Sequence, residues 1–404
     1  MVKAERAGEW ALVAMLTAAI LLNYVDRGAV GIAAPLMQRE LVLTATEFGV
    51  AVSAFFWVYA PVQLFLGWLC DRFDVYRLFG LGLAVWALST MMTAFAPGLG
   101  VLILLRVLLG LGESIAFPGS SKIIASEVPD AHRGRANAMI AAAIAFGPAI
   151  GTFVGGRILD GHGWRAIFLA FGAVTLVWLL PWAWFVRHRR NAQSLAGAET
   201  YPVRRMLKRT ELWLMSVAHF CSNYPFYFLL AWLPLYLVKS RGLSIGTMTS
   251  IATAAFITQG VAALLFGWLS DRWVARGAGE DRVRRGLMAA SQLIVAGAIV
   301  GAAVAPGVPS MTLCLIVAAA AGGVISANIY AVGQIFAGKR AVGSWIGVQN
   351  ALGNTSGIVG PVVTGLIIDS TGSYLSAFAL TAAISALGGL IWLFLIPPIR
   401  AITE

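Results

Sequence analysis

Four ionisable residues stand well inside long apolar stretches: Asp26 and Arg27 in one, Arg106 and Glu113 in another. Facing lipid, each would be disfavoured by several kcal/mol, so a chain that keeps them must pair them or place them in a wet cavity. Arg106 and Glu113 are two helical turns apart. Gly110 lies on nearly the same face, where a missing side chain leaves room for a ligand or a partner helix. Asn23 lies one turn before Arg27 and adds a neutral hydrogen-bonding group to that stripe, with Tyr24 beside it. The chemistry open to this quartet is proton-linked anion binding. With both acids ionised, the four charges sum to zero and the guanidinium groups are occupied. Protonating Glu113 or Asp26 leaves net positive charge and releases a guanidinium, which binds a carboxylate through two parallel hydrogen bonds. Static ion pairs pinning two helices are the blander alternative. A buried pair gains about as much from attraction as it loses in desolvation, so a purely structural role would bring little.

The elements that must position these residues are membrane helices. The 404 residues are 59% hydrophobic and 12% charged, with a mean hydropathy of +0.82; soluble proteins carry about twice that charged fraction. Spanning a hydrocarbon core takes roughly 20 apolar residues, and about twelve runs of that length are separated by charge clusters and Gly/Pro breaks. They are residues 10–34, 46–69, 76–96, 99–125, 135–158, 165–186, 211–238, 246–270, 286–305, 310–336, 342–368 and 374–397. The first run follows a basic start, as in a signal peptide, but is long enough to span and holds Asp26 and Arg27, so it reads as a retained helix. One alternate set of loops collects Arg72, Arg77, Arg133, Arg135, the basic runs 187–209 and 272–285, Lys339 and Arg340, together with both termini. By the positive-inside rule that face, and so each terminus, is cytoplasmic. The same asymmetry accounts for much of the net charge of +11. Anionic lipid, rather than nucleic acid, is the expected partner of these groups.

The segment GWLCDR at 67–72 recurs as GWLSDR at 267–272, and GRILD at 156–160 is echoed by GLIID at 365–369. The chain therefore reads as a duplication: a six-helix bundle over 1–186, a basic cytoplasmic linker over 187–210 and a second bundle over 211–404. Six plus six helices around a midplane cavity is a transporter architecture.

Gly67, Asp71, Arg72 and Arg77 resemble the signature of the major facilitator superfamily in the loop after the second helix. NYVDR (23–27), RVLLGLGESIAFPGSSK (106–122), GWRAIF (163–168), FYFLLAWLPLYLVKSRGLS (226–244), NTSGIVGP and IIDSTGSY (within 354–374) are similar to stretches of its anion:cation symporter family, which carries sugar acids and aromatic acids. EVPDAHRGR at 127–135 departs from many relatives, which have an aromatic residue before the proline. The resemblance implies an all-α integral membrane fold of twelve helices in two pseudo-symmetric bundles. It also implies Asp26 and Glu113 as proton carriers, Arg27 as the anion contact, and Arg106 as the partner of Glu113 or a second anion contact. Asp71, Arg72, Asp271 and Arg272 resemble gate residues forming ion pairs across the cytoplasmic face; solvated helix-end charges are the plainer reading, worth up to about 1 kcal/mol each.

Other polar residues at spanning positions are Tyr224, Tyr227, Gln259, Asn328, Gln349, Asn350 and Asn354. For each, bonding between helices competes with substrate contact. Asn350, Asn354 and Tyr227 are the candidates for hydroxyl recognition, Gln259 is a further candidate substrate contact, and His219 is a weaker candidate proton shuttle. Cys70, Cys221 and Cys314 have no disulfide or zinc spacing, and neither HExxH nor GxSxG is present, so no metal, no enzyme chemistry and no cofactor beyond the coupling proton is expected. The expectation is a monomeric proton symporter importing a small organic anion, a sugar acid or similar carboxylate, across a bacterial plasma (inner) membrane. A facilitator, or a proton-coupled exporter of an organic anion or amphipathic compound, is the rival.

Overall fold

The computed structural model describes residues 2–187 and 203–401, and every regular element among them is helical. Most of the basic linker lies outside the described residues, as do the side chains of Lys3, Arg6, Asp71, Lys339 and Arg340. The helices are α1 (Val2–Arg27), α2 (Ala29–Glu40), α3 (Ala45–Arg72), α4 (Val75–Thr93), α5 (Leu99–Glu113), α6 (Ala116–Glu127), α7 (Asp130–His162), α8 (Trp164–Val186), α9 (Val203–Met206), α10 (Thr210–Leu235), α11 (Ile245–Ala275), α12 (Glu280–Val304), α13 (Val308–Asn354), α14 (Ser356–Thr371) and α15 (Tyr374–Leu390). Among the described residues, 11 helical stretches are long and apolar enough to cross a membrane. The twelfth span is α10, 26 residues long, whose His219, Ser222, Asn223, Pro225 and Pro234 lower its hydropathy without breaking the helix. The protein is an all-α integral membrane protein.

The chain forms two compact units. Unit 1 comprises Met1–Leu43, Ala54–Gly197 and Ser244–Thr249; unit 2 comprises Thr44–Ser53, Ala198–Leu243 and Ser250–Glu404. The first turns of α3 and α11 thus group with the unit other than the one holding the rest of each helix. In unit 1, α1 lies along α7, and α4 packs between α5 and α8; in unit 2, α12 packs on α13 and α15, and α10 on α13. In hydrocarbon there is no hydrophobic drive between helices, so such packing depends on close van der Waals fit. Along α1 that fit needs glycine: a Cβ on Gly151 of α7 would meet the Val25 backbone.

Three spans are interrupted in mid-course, each just after a polar residue of interest. α1 gives way to α2 at Gly28, after Arg27; α5 to α6 at Ser114, after Glu113; and α13 to α14 at Thr355, after Asn354. The backbone at these joints stays right-handed, with ψ of −17°, −31° and −20°, nearer a tightened 3₁₀ turn than an unwound segment. Pro118 explains the second joint, because the N–H it lacks would have bonded the Ser114 carbonyl. Hydroxyl groups serve main-chain carbonyls there: Ser114 Oγ donates to Leu111 (2.7 Å), Thr355 Oγ1 to Leu352 (2.6 Å) and Ser356 Oγ to Gly353 (2.7 Å). Bonds of this kind let a broken helix persist without water. A separate kink at Gly338 (φ 60°) divides α13 into two spans.

Candidate functional site

Unit 1 gathers the buried Asn23, Asp26, Arg106 and Glu113 and the half-buried Arg27 into one cluster, from the last turns of α1 and from the middle and end of α5. Glu113, 1% exposed, accepts from Arg27 Nε at its Oε2 (3.1 Å), and the same Nε reaches Asn23 Oδ1 at 3.3 Å. The Arg27 guanidinium also lies over Tyr24 (4.9 Å), Phe55 (5.4 Å) and Tyr59 (4.8 Å), measured to the ring centroids. Aromatic faces carry negative potential, so they steady a desolvated cation without neutralising it. Asp26 takes a different course from its neighbour: its Oδ2 accepts from Trp86 Nε1 (2.6 Å) and Thr90 Oγ1 (2.5 Å), both on α4.

Of the ion pairs expected for four buried charges, the described residues hold the Arg27–Glu113 pair alone. Arg106 is not the hydrogen-bonded partner of Glu113. Its guanidinium lies over the Phe55 ring at 5.2 Å, and its buried Nε has no hydrogen-bond partner among the described residues. The opposite oxygen of Glu113, Oε1, is likewise buried and unpartnered, as is Asn23 Nδ2. Such groups are disfavoured until something bonds them. Gly110 makes room for a partner helix: a Cβ there would collide with the Phe55 carbonyl of α3.

The candidates of unit 2 form a neutral network. Tyr227 of α10 donates to Asn354 Oδ1 at the end of α13, and Asn354 Nδ2 donates back to the Asn350 carbonyl at 2.8 Å. Asn350 Oδ1 accepts from Tyr330 (2.8 Å), whose ring meets His219 edge-on with centroids 5.3 Å apart. Gln349 Nε2 faces His219 Nδ1 at 3.5 Å. Gln259 is half-buried on α11, and Tyr224 is buried. Asn328 serves a structural role, accepting from Arg284 Nη1 at 3.3 Å.

The duplicated Asp-Arg motif lies at helix ends. Asp271 pairs with Arg284 Nη2 at 2.9 Å inside its own unit, and the same arginine holds Glu280 at 3.0 Å. Arg272 lies 5.0 Å over the Trp268 ring. Arg72 is exposed at the end of α3, and the Asp71 side chain lies outside the described residues.

The sequence reading missed Trp86, Thr90, Phe55 and Tyr59. A weak signal existed for the first two: they are four apart, hence on one face of a span, and both carry a donor hydrogen.

Known proteins resemble this chain throughout. The Major Facilitator Superfamily model matches residues 16–279 and 237–403. A probable sulfoacetate transporter of Cupriavidus necator is 31% identical over 93% of this chain and 91% of its own length. The hexuronate transporter of Bacillus subtilis is 29% identical, covering 94% and 92%; a probable galactarate/D-glucarate transporter of the same species is 28% identical, covering 97% and 93%. Among solved structures, a bacterial homologue of the human lysosomal transporter Spinster superposes with a TM-score of 0.79 at 17% identity, over 95% of this chain and 96% of that one. At that identity it speaks for the fold, and the fold agrees with the sequence match: the chain belongs to the Major Facilitator Superfamily.

Proposed function

We propose that this protein imports a small organic anion, a sugar acid or similar carboxylate, by proton symport with alternating access, as a monomer in a bacterial plasma membrane. The observation that carries the reading is the pair of Arg27 with the buried Glu113, closed at 3.1 Å on one carboxylate oxygen and bare on the other. While Glu113 is ionised it holds the guanidinium. A proton arriving at Oε1 neutralises it, and Arg27 then offers its planar fork to an incoming carboxylate. Anion and proton raise each other's affinity, which is the linkage symport needs. The relatives' names support the substrate class, since sulfoacetate, hexuronate, galactarate and glucarate all carry a carboxylate. Tyr227 and Asn354, with Gln259 and Asn350, supply hydroxyl recognition. Asp71, Arg72, Asp271 and Arg272 act in gating through their own helix ends.

The test is uptake into proteoliposomes of pooled sugar acids, aromatic acids and short carboxylates under an inward proton gradient, with and without a proton ionophore. Accumulation that the ionophore abolishes is the expected result. Equilibration without accumulation, indifferent to the ionophore, would make the protein a facilitator. Extrusion driven by the same gradient would make it an exporter.

A further inference from the structure

The proposed mechanism leaves unexplained why Asp26, next in sequence to a caged arginine, turns away from it to α4. Trp86 is 0% and Thr90 1% exposed, so neither donor has water as an alternative partner. An indole N–H can only donate. Trp86 Nε1 therefore keeps one acceptor direction of Oδ2 filled at 2.6 Å, and the Thr90 hydroxyl fills a second at 2.5 Å. With Oδ2 committed as acceptor, the oxygen left for a proton is Oδ1.

The charged groups facing Asp26 come from α5 and its own helix: Arg106 and Glu113 act on it through charge alone, and Arg27 adjoins it. α7 meets this stretch with Gly147, Gly151 and Thr152, and α4 meets it with Trp86 and Thr90. Hydrogen bonds to a carboxylate favour its ionised form over its neutral one. Two neutral donors thus tune a charged group without adding a charge that would compete for the anion.

We infer that Trp86 and Thr90 are positioning residues for proton coupling, holding Asp26 through Oδ2 so that Oδ1 takes the proton and setting the pH range over which uptake is coupled. This rests on the reading of Asp26 as a proton carrier.

The experiment measures ionophore-sensitive uptake against pH in proteoliposomes, with substrate counterflow as a proton-independent readout. The variants are T90V, T90S, W86F and D26N. T90V keeps the shape and removes the donor; it should move the pH of half-maximal uptake upward by about one unit, a tenfold change in proton affinity, while counterflow persists. W86F should move it the same way, and T90S, which restores the hydroxyl, should return the original profile. If D26N loses accumulation but T90V and W86F overlay the parent profile, the positioning role is overturned and Asp26 stands. If D26N keeps both accumulation and the parent profile, the proton-carrier reading itself fails. A T90V protein that loses counterflow as well as uptake, and that T90S does not rescue, would make the pair structural.

Discussion

Each unit holds a polar cluster beside a helix joint, but the two differ in kind. Around Gly28 and Ser114, unit 1 holds Asp26, Arg27, Arg106 and Glu113, with donors and acceptors left unpaired at Arg106 Nε and Glu113 Oε1. Around Thr355, unit 2 holds Tyr227, Asn350, Asn354, Tyr330 and His219, most of them already bonded to one another. A neutral network in low dielectric rigidifies and reads shape, whereas a charged one with open valences responds to protons and anions. Under the proposed function, energy coupling falls to unit 1 and recognition of substrate hydroxyls to unit 2.

The most severe break of that comparison is Glu113→Gln. It should bring gradient-driven accumulation to background while leaving exchange of labelled for unlabelled substrate, both measured in proteoliposomes; retained accumulation would remove the coupling role from Glu113. Arg27→Lys keeps the charge but loses the fork and its stacking on Tyr24, Phe55 and Tyr59, so binding should weaken roughly 10- to 100-fold. Calorimetric titration checks this, and unchanged affinity would take Arg27 out of the site. Tyr227→Phe should raise the KM for a polyhydroxylated acid about 3- to 10-fold, the worth of one hydrogen bond, and leave a short unhydroxylated carboxylate untouched. An equal rise for both substrates would mean that the Tyr227–Asn354 bond holds helices rather than reads hydroxyls. At the small end, His219→Gln keeps a hydrogen-bonding group toward Gln349, and should alter ionophore-sensitive uptake by less than about twofold; a collapse of coupling there would put a proton path in unit 2.

How much of this the sequence carried follows from the price of burial. Arg27 and Glu113 were legible because a charge in an apolar span is disfavoured in any fold, so its presence alone signals a purpose. Trp86, Thr90, Phe55 and Tyr59 raise no such alarm. Tryptophan, threonine and phenylalanine are at home in membrane helices, and only the packing of α4 and α3 shows that they serve Asp26 and the two arginines. The pairing was also hidden. Arg106 and Glu113 share a helix face, yet the side chain that reaches Glu113 comes from 86 residues away. The repeated Asp-Arg motif drew attention to Asp271, whereas its partner, Arg284, is set by how α12 follows α11. Breaks inside spans were partly readable: Pro118 marks the joint at Ser114, but nothing so plain marks Thr355.

Gly110 makes the spacing of the charges on α5 indifferent to one kind of evolutionary drift. What lies against the bare stretch between Arg106 and Glu113 is the main chain of Phe55, a peptide carbonyl that every amino acid supplies alike. A change of ring at residue 55 therefore alters the wall seen by both guanidinium groups and its packing on Phe56 and Tyr59, but leaves in place the main-chain surface that seats α5. Under the proposed function, that position is one where the surroundings of the anion contact change while the seat of α5 is kept.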